Sequence, residues 1–208
     1  MSIEFQEWVA ENSTTLALSY LNATDEYDKR NAFIDSVTHF VRNANDVDLT
    51  PDIVNALGIV ASDTFAESFI QSIAFDDKFL IALAYKISAT EHEEAKSALA
   101  ELLGLVKSNK TDAIKVLEIL IGEKEEFISR KALLSLTKLG SNTVESHAEK
   151  AWNTRLSYQR IACLHALNII NSKKLTEYLD YANNDGRLFV IQSMIEIRNE
   201  VAKQNGRL

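Results

Sequence analysis

Four segments between residues 96 and 197 repeat one pattern at intervals of 34, 30 and 27 residues. In each, a basic residue is followed by an apolar residue two positions later, a small or apolar residue at the sixth, and an apolar residue near the ninth or tenth. The segments are KSALAELLGLV from Lys96, RKALLSLTKLG from Arg130, RIACLHALNII from Arg160 and RLFVIQSMIEI from Arg187. Polar links beginning at Ser108, Ser141 and Ser172 recur at intervals of 33 and 31 residues. A period of about 30 residues, with one short and one long helix per unit, predicts a helical solenoid.

Helical spacing of apolar residues continues along the rest of the chain, and strict alternation is absent. With one Pro and six Gly in 208 residues, the chain has few of the residues that long turns and sheets require. We expect Gly140 and Asn171 to close two of the helices. The sequence predicts an all-α protein of about twelve helices, or thirteen if the first two are separate, near 3–10, 13–22, 25–44, 51–61, 63–74, 76–88, 92–107, 111–122, 125–139, 143–152, 155–170, 173–183 and 186–203.

The segment RIACLHAL, from Arg160 to Leu167, most closely matches a known repeat pattern. The chain resembles HEAT repeats, in particular the shorter variety found in phycobilisome-lyase-like proteins, whose second helix typically carries an Arg followed by a pattern of Ala and Leu. The resemblance covers residues 92–203, whereas residues 1–91 share only the helical periodicity. It implies a right-handed α-solenoid of antiparallel helix pairs that forms a single domain over residues 1–208.

The recurring basic residues have two interpretations. Equivalent positions in stacked units line up as a ladder, and the resemblance implies that Lys96, Arg130, Arg160 and Arg187 brace neighbouring units by bonding an acidic side chain or a helix end. Alternatively, basic side chains form a shallow groove for an anionic partner. The candidate partner-binding residues are Arg130, Arg155, Arg160, Arg187, Lys131 and Trp152.

The charge of the chain is unevenly distributed. Its net charge is -8, but residues 1–104 hold 6 Lys and Arg against 18 Asp and Glu, whereas residues 105–208 hold 16 against 12. We therefore expect an acidic N-terminal surface and a mildly basic C-terminal one, which can steer charged partners.

No residue pattern points to a catalytic centre, a metal or a cofactor. His92, Glu93 and Glu94 begin like a zinc-binding H-E-x-x-H helix, but Lys96 stands where the second His belongs. The other histidines share no ligand spacing, and no phosphate-binding glycine loop is present. We expect Cys163 to be a small core residue and Asp185 to cap the last long helix.

Cellular location is indicated by three features. The single Cys excludes an intramolecular disulfide, so a reducing compartment fits. Glu4, Glu7 and Glu11 occupy the region where a secretion signal has basic and then apolar residues. The apolar runs are far shorter than the ~20 residues that span a bilayer. The sequence predicts a cytoplasmic protein without a membrane segment.

The favoured function is a non-catalytic scaffold that binds a protein partner on its concave face, with self-association left open. The HEAT-like alkylpurine DNA glycosylases are one alternative, because Trp152 with Arg155 resembles their aromatic and basic groove residues. Leu156 is not acidic as that groove requires, and a net charge of -8 disfavours nucleic acid. Phycobilin lyases, which share the repeat and the approximate length, are the second alternative.

Overall fold

The computed structural model describes residues 49–62 and 76–205. These residues form nine α-helices and no strand, which confirms the all-α prediction for this part of the chain. The helices are α1 Pro51–Ala61, α2 Asp77–Ser88, α3 Glu93–Leu103, α4 Lys110–Leu120, α5 Glu126–Leu139, α6 Val144–Asn153, α7 Ser157–Ile169, α8 Leu175–Asn183 and α9 Leu188–Asn205. The helices predicted at 3–10, 13–22, 25–44 and 63–74 lie outside the described residues.

The predicted helix boundaries agree with the observed ones to within a few residues. The largest difference is at α3, which was predicted to reach residue 107 and ends at Leu103. Its last turn tightens, because the Gly104 amide donates to the carbonyl of Glu101 at 3.2 Å. Leu105, which the pattern assigned to the helix, is exposed as a result.

The polar links that begin at Ser141 and Ser172 each follow a residue in the left-handed conformation. Gly140, directly after α5, has φ 72°, and Asn171 has φ 52°. At the first of these turns the Ser141 amide donates to the Leu136 carbonyl at 3.0 Å, and the turn at Asn171 makes the same bond at 2.9 Å. Such bonds satisfy the carbonyls left free at a helix end. The prediction that Gly140 and Asn171 close their helices is confirmed.

The helices pack mainly against their near neighbours in sequence. We call α3, α5, α7 and α9, which carry the repeated pattern, the long helices, and α2, α4, α6 and α8 the short helices, although α3 has 11 residues and α2 has 12. The long helices pack in succession, α3 against α5, α5 against α7 and α7 against α9. Each also packs against the short helices that precede and follow it, which are α2, α4, α6 and α8. Within the described residues, no substantial contact joins helices more than two apart in this numbering. The apolar core is therefore shared step by step along the chain.

Hydrogen bonds between side chains or links repeat with the same spacing. Apart from two, the long-range side-chain hydrogen bonds within the described ranges join positions 25 to 33 residues apart. Ser108, for example, donates to Asp77, and Ser172 donates to Glu145, both at 2.5 Å. These separations equal one predicted unit, so each unit bonds to the next. These separations agree with the predicted period of about 30 residues.

Gly104, directly after α3, lies very close to α5. A Cβ atom there would lie 2.7 Å from Ser135 Oγ and 2.9 Å from Ser135 Cβ. Ser135 lies on α5 and is 1% exposed, so it has no room to move away. The backbone at Gly104 has φ -67°, which any residue can adopt. The glycine is therefore required by the contact between α3 and α5.

We expect Gly104→Ala to lower the free energy of unfolding by about 1–3 kcal/mol, since overpacking forces a buried contact apart. Gly122→Ala is the matched control, because its new Cβ would meet only the Ile119 carbonyl, at 3.3 Å. Urea unfolding followed by circular dichroism measures both variants. The Ser135→Gly change should make Gly104→Ala less damaging, and equal losses for Gly104→Ala and Gly122→Ala would contradict the explanation.

Candidate functional site

The four long helices share one register, which their buried residues define. The third residue of each helix is at most 5% exposed: Ala95, Ile128, Gln159 and Val190. The seventh residue is at most 2% exposed: Leu99, Ala132, Cys163 and Met194. The third and seventh positions are therefore buried in all four helices, and they define the common register.

In this register the recurring basic residues are not all equivalent. Lys96 and Arg160 are the fourth residues of α3 and α7, as a ladder requires. Arg130 is the fifth residue of α5, and Arg187 precedes the first residue of α9. The prediction that the four form one ladder is wrong for Arg130 and Arg187. The links between the helices differ in length, so the basic residue does not fall at the same position of every helix.

Lys96 and Arg160 make the same contact in two different units. Lys96 Nζ donates to Glu123 Oε1 at 2.6 Å, and the Lys96 side chain is only 8% exposed. Arg160 Nη1 donates to Asp185 Oδ2. Both acceptors lie three residues before the next long helix, α5 or α9. Lys96 and Arg160 therefore make the bond to an acidic side chain that the bracing interpretation predicts.

Asp185 is the centre of a buried cluster of charges. Its side chain is 0% exposed, and Arg187 contacts it with Nε to Oδ1 at 2.5 Å and Nη2 to Oδ2 at 2.7 Å. The Arg187 guanidinium lowers the pKa of the Asp185 carboxyl below its usual value; burial opposes this shift and Arg160 adds to it. The prediction that Asp185 caps the last long helix is wrong, because its carboxylate binds these two guanidinium groups and α9 begins three residues later.

The Trp152 ring packs against this cluster. The Arg160 guanidinium lies 4.6 Å from the centre of the Trp152 ring, and its Nε donates to the Trp152 carbonyl at 3.1 Å. The ring meets Tyr178 edge-on at 5.3 Å between centroids and is tilted against Tyr181 at 6.3 Å. Trp152 is 7% exposed, so it stabilises the cluster and its ring is not presented to a partner.

The links before α7 and α9 meet at the same place. Arg187 Nη1 donates to the carbonyl of Arg155, a residue with φ 63°. Four of the six predicted partner-binding residues therefore lie together: Trp152, Arg155, Arg160 and Arg187. Arg155 is the most open of them, because its side chain is exposed and makes no ion pair within the described part of the chain.

Arg130 and Lys131 lie on α5 and contact different neighbours. The Arg130 guanidinium lies 5.1 Å from the centre of the Tyr158 ring of α7. Lys131 Nζ instead bonds Glu101 Oε2 of α3 at 2.9 Å. Arg130 has no ion pair among the described residues, since the link before α7 offers Thr154 and Arg155 rather than an acid.

Four large apolar residues near these arginines were not predicted as site residues. Leu156, Tyr158, Leu188 and Phe189 are 47%, 51%, 73% and 61% exposed. They stand just before or in the first two positions of α7 and α9. The sequence contained a signal for them: at the same two positions where α3 has Glu93 and Glu94, α9 has Leu188 and Phe189. We call the set of Arg130, Arg155, Leu156, Tyr158, Arg187, Leu188 and Phe189 the edge strip.

The remaining candidate groups each have a separate partner. The ring Nε2 atoms of His92, His147 and His165 lie 2.8 Å from Asn55 Oδ1, 2.7 Å from Glu118 Oε2 and 3.3 Å from Ser193 Oγ. Cys163 is wholly buried, which raises the pKa of its thiol, and its predicted core position is confirmed. Within residues 49–62 and 76–205, no group of three or more His, Cys, Asp or Glu could hold a metal ion.

Comparison with known proteins identified no relative of this chain. No protein-family model, curated protein or solved structure matches this chain. The resemblance to HEAT repeats therefore rests on the sequence motifs alone. None of the described helices is both long enough and apolar enough to cross a membrane.

Proposed function

We propose that the protein is a non-catalytic, cytoplasmic scaffold that binds a protein partner. In this proposal its helices form a HEAT-like, right-handed solenoid of antiparallel helix pairs within a single domain over residues 1–208. Such a row of units presents an elongated surface, which is the usual binding surface of repeat proteins.

The observation that supports the proposal most is the difference between the two sets of helices. Every successive pair of long helices from α3 to α9 is in substantial contact, whereas among α2, α4, α6 and α8 only α2 and α4 are. A row whose long helices lie closer together curves towards them, so the long helices line the concave side. The outer surface of α5, α7 and α9 is then the expected site of a partner.

The contacts of Trp152 favour the scaffold over the glycosylase alternative. Base stacking requires an open aromatic face, but Arg160 covers this ring at 4.6 Å, and Arg160 itself bonds Asp185. What remains exposed next to them is a mixture of arginines and large apolar side chains. Tyr, Phe and Arg are the residue types enriched at protein interfaces.

Affinity capture of the tagged full-length chain from native cytosol, followed by mass spectrometry, tests the scaffold proposal. We expect at least one protein to be enriched over a tag-only control, and enrichment to fall for an Arg130→Glu/Arg155→Glu variant. Lys110→Glu/Lys150→Glu is the matched control, because both lysines are exposed on short helices. Circular dichroism should show all variants equally helical.

Two results would overturn the scaffold proposal. One is the absence of any enriched protein from repeated captures with the folded chain. The other is salt-sensitive binding of an oligonucleotide with an abasic or alkylated site, which would support the glycosylase alternative instead.

A further inference from the structure

The edge strip is unusual among the starts of the long helices. The first two residues of α3 are Glu93 and Glu94, which suit a solvated helix start, since carboxylates complement the positive end of the helix dipole. In α9 the first two residues are Leu188 and Phe189, both more than 60% exposed. Large apolar side chains concentrated at one exposed place mark an interaction surface.

Direct contacts make the edge strip continuous. Arg130 of α5 lies over the Tyr158 ring of α7, and Arg187, before α9, donates to the Arg155 carbonyl before α7. Leu156 follows Arg155 in sequence, and Leu188 follows Arg187. The strip therefore crosses three consecutive units along the edge where their long helices begin.

The charge of this edge is opposite to that of the whole chain. Arg130 and Arg155 have no acidic partner among the described residues, and Arg160 and Arg187 share the one buried carboxylate of Asp185. Glu126, one turn before Arg130, accepts a hydrogen bond from the backbone amide of Gln159 at 3.2 Å and keeps its charge, so the four arginines stand against two carboxylates, those of Glu126 and Asp185. A positive edge in a chain of net charge -8 favours an acidic partner.

We propose that the edge strip binds an extended acidic segment of a partner protein, in which every third residue begins a pair of one acidic and one large apolar residue. An Arg-Leu pair occurs before α7 and again at the start of α9, one unit apart. Packed helices are about 8–10 Å apart, which a chain in the polyproline II conformation covers in about three residues at ~3.1 Å each, and because three residues complete one turn, every third side chain faces the same way. A partner with an acid-apolar pair every third residue matches both Arg-Leu pairs. This inference rests on the scaffold function proposed above.

A fluorescein-labelled peptide that repeats Asp-Leu-Ser-Glu-Phe-Ser twice is the probe, and anisotropy measures its binding to the full-length chain. We expect saturable binding that weakens with salt and falls about tenfold or more in Arg130→Glu/Arg155→Glu, as for residues that carry most of an interface's energy. Leu188→Ser should weaken binding similarly, without changing the charge. Lys110→Glu/Lys150→Glu should bind like the wild type.

Three results would overturn this inference. They are no saturable binding of the acidic peptide to the folded chain, equal binding of a peptide with Lys in place of its acids, and tighter binding of a single-stranded oligonucleotide of similar length. If affinity capture enriches a partner that the Arg130→Glu/Arg155→Glu variant retains, the scaffold function stands and the edge strip is not its binding site. If neither the peptide nor any cellular protein binds, both proposals are wrong.

Discussion

Replacing Asp185 with alanine is expected to lower the free energy of unfolding by about 3 kcal/mol, because removing one member of a buried ion pair leaves its partners uncompensated. The Asp185 side chain is wholly buried and is bonded by Arg160 and Arg187, which are 17% and 34% exposed. Neither guanidinium has another carboxylate within reach among the described residues. Urea unfolding at pH 7, followed by circular dichroism, measures the loss.

Asp180→Ala is the matched control for this experiment. Asp180 also pairs with an arginine, Arg198, at 2.8 Å, but its side chain is 68% exposed. An exposed pair contributes about 0–1 kcal/mol, so the control should be close to the wild type. If the two variants lose the same stability, the buried cluster does not hold the last two units together.

The pH dependence of stability gives a second measurement on the same variant. Because the pKa of Asp185 is lowered in the folded protein, its stabilisation is complete above the unfolded value of about 3.9. It is lost as the pH falls through the folded pKa. The stability difference between the wild type and Asp185→Ala should therefore be largest near pH 7 and should shrink below about pH 4.

The helices could be predicted from the sequence because their signals are local. Apolar spacing placed each described helix, and Gly140 and Asn171 marked two helix ends by residue type alone. The end of α3 was placed too late, because Leu105 continues the apolar spacing although the chain has already turned at Gly104. At that position Gly104 lies close to Ser135 of α5, and a contact between distant residues has no local signal.

The candidate site could be predicted only in part, for the same reason. Trp152 and the arginines around it were identified by residue type, but the shared carboxylate of Asp185 was mistaken for a helix cap. The edge strip was missed because Leu188 and Phe189 fit an apolar helical pattern, which normally indicates core. Both residues are exposed because they precede Val190, the first buried residue of α9.

Leu164→Ala is expected to lower the free energy of unfolding by about 3 kcal/mol, through lost burial and the cavity left behind. Leu164 is the eighth residue of α7 and is 0% exposed. The matched variant is Ile195→Ala, at the eighth residue of α9, where the side chain is 51% exposed. The eighth position is buried in α3, α5 and α7, each of which is followed by another helix pair, whereas no later helix of the described chain packs on α9.

The expected loss for Ile195→Ala is under about 1 kcal/mol, because a surface substitution leaves no cavity. Urea unfolding measures both variants at several protein concentrations. A large loss for Ile195→Ala that grows with protein concentration would mean that a second copy of the chain covers α9. A large loss that is independent of concentration would mean that another part of the same chain covers it. Either result would contradict an open last unit, whereas a small loss agrees with units that are buried only by their neighbours.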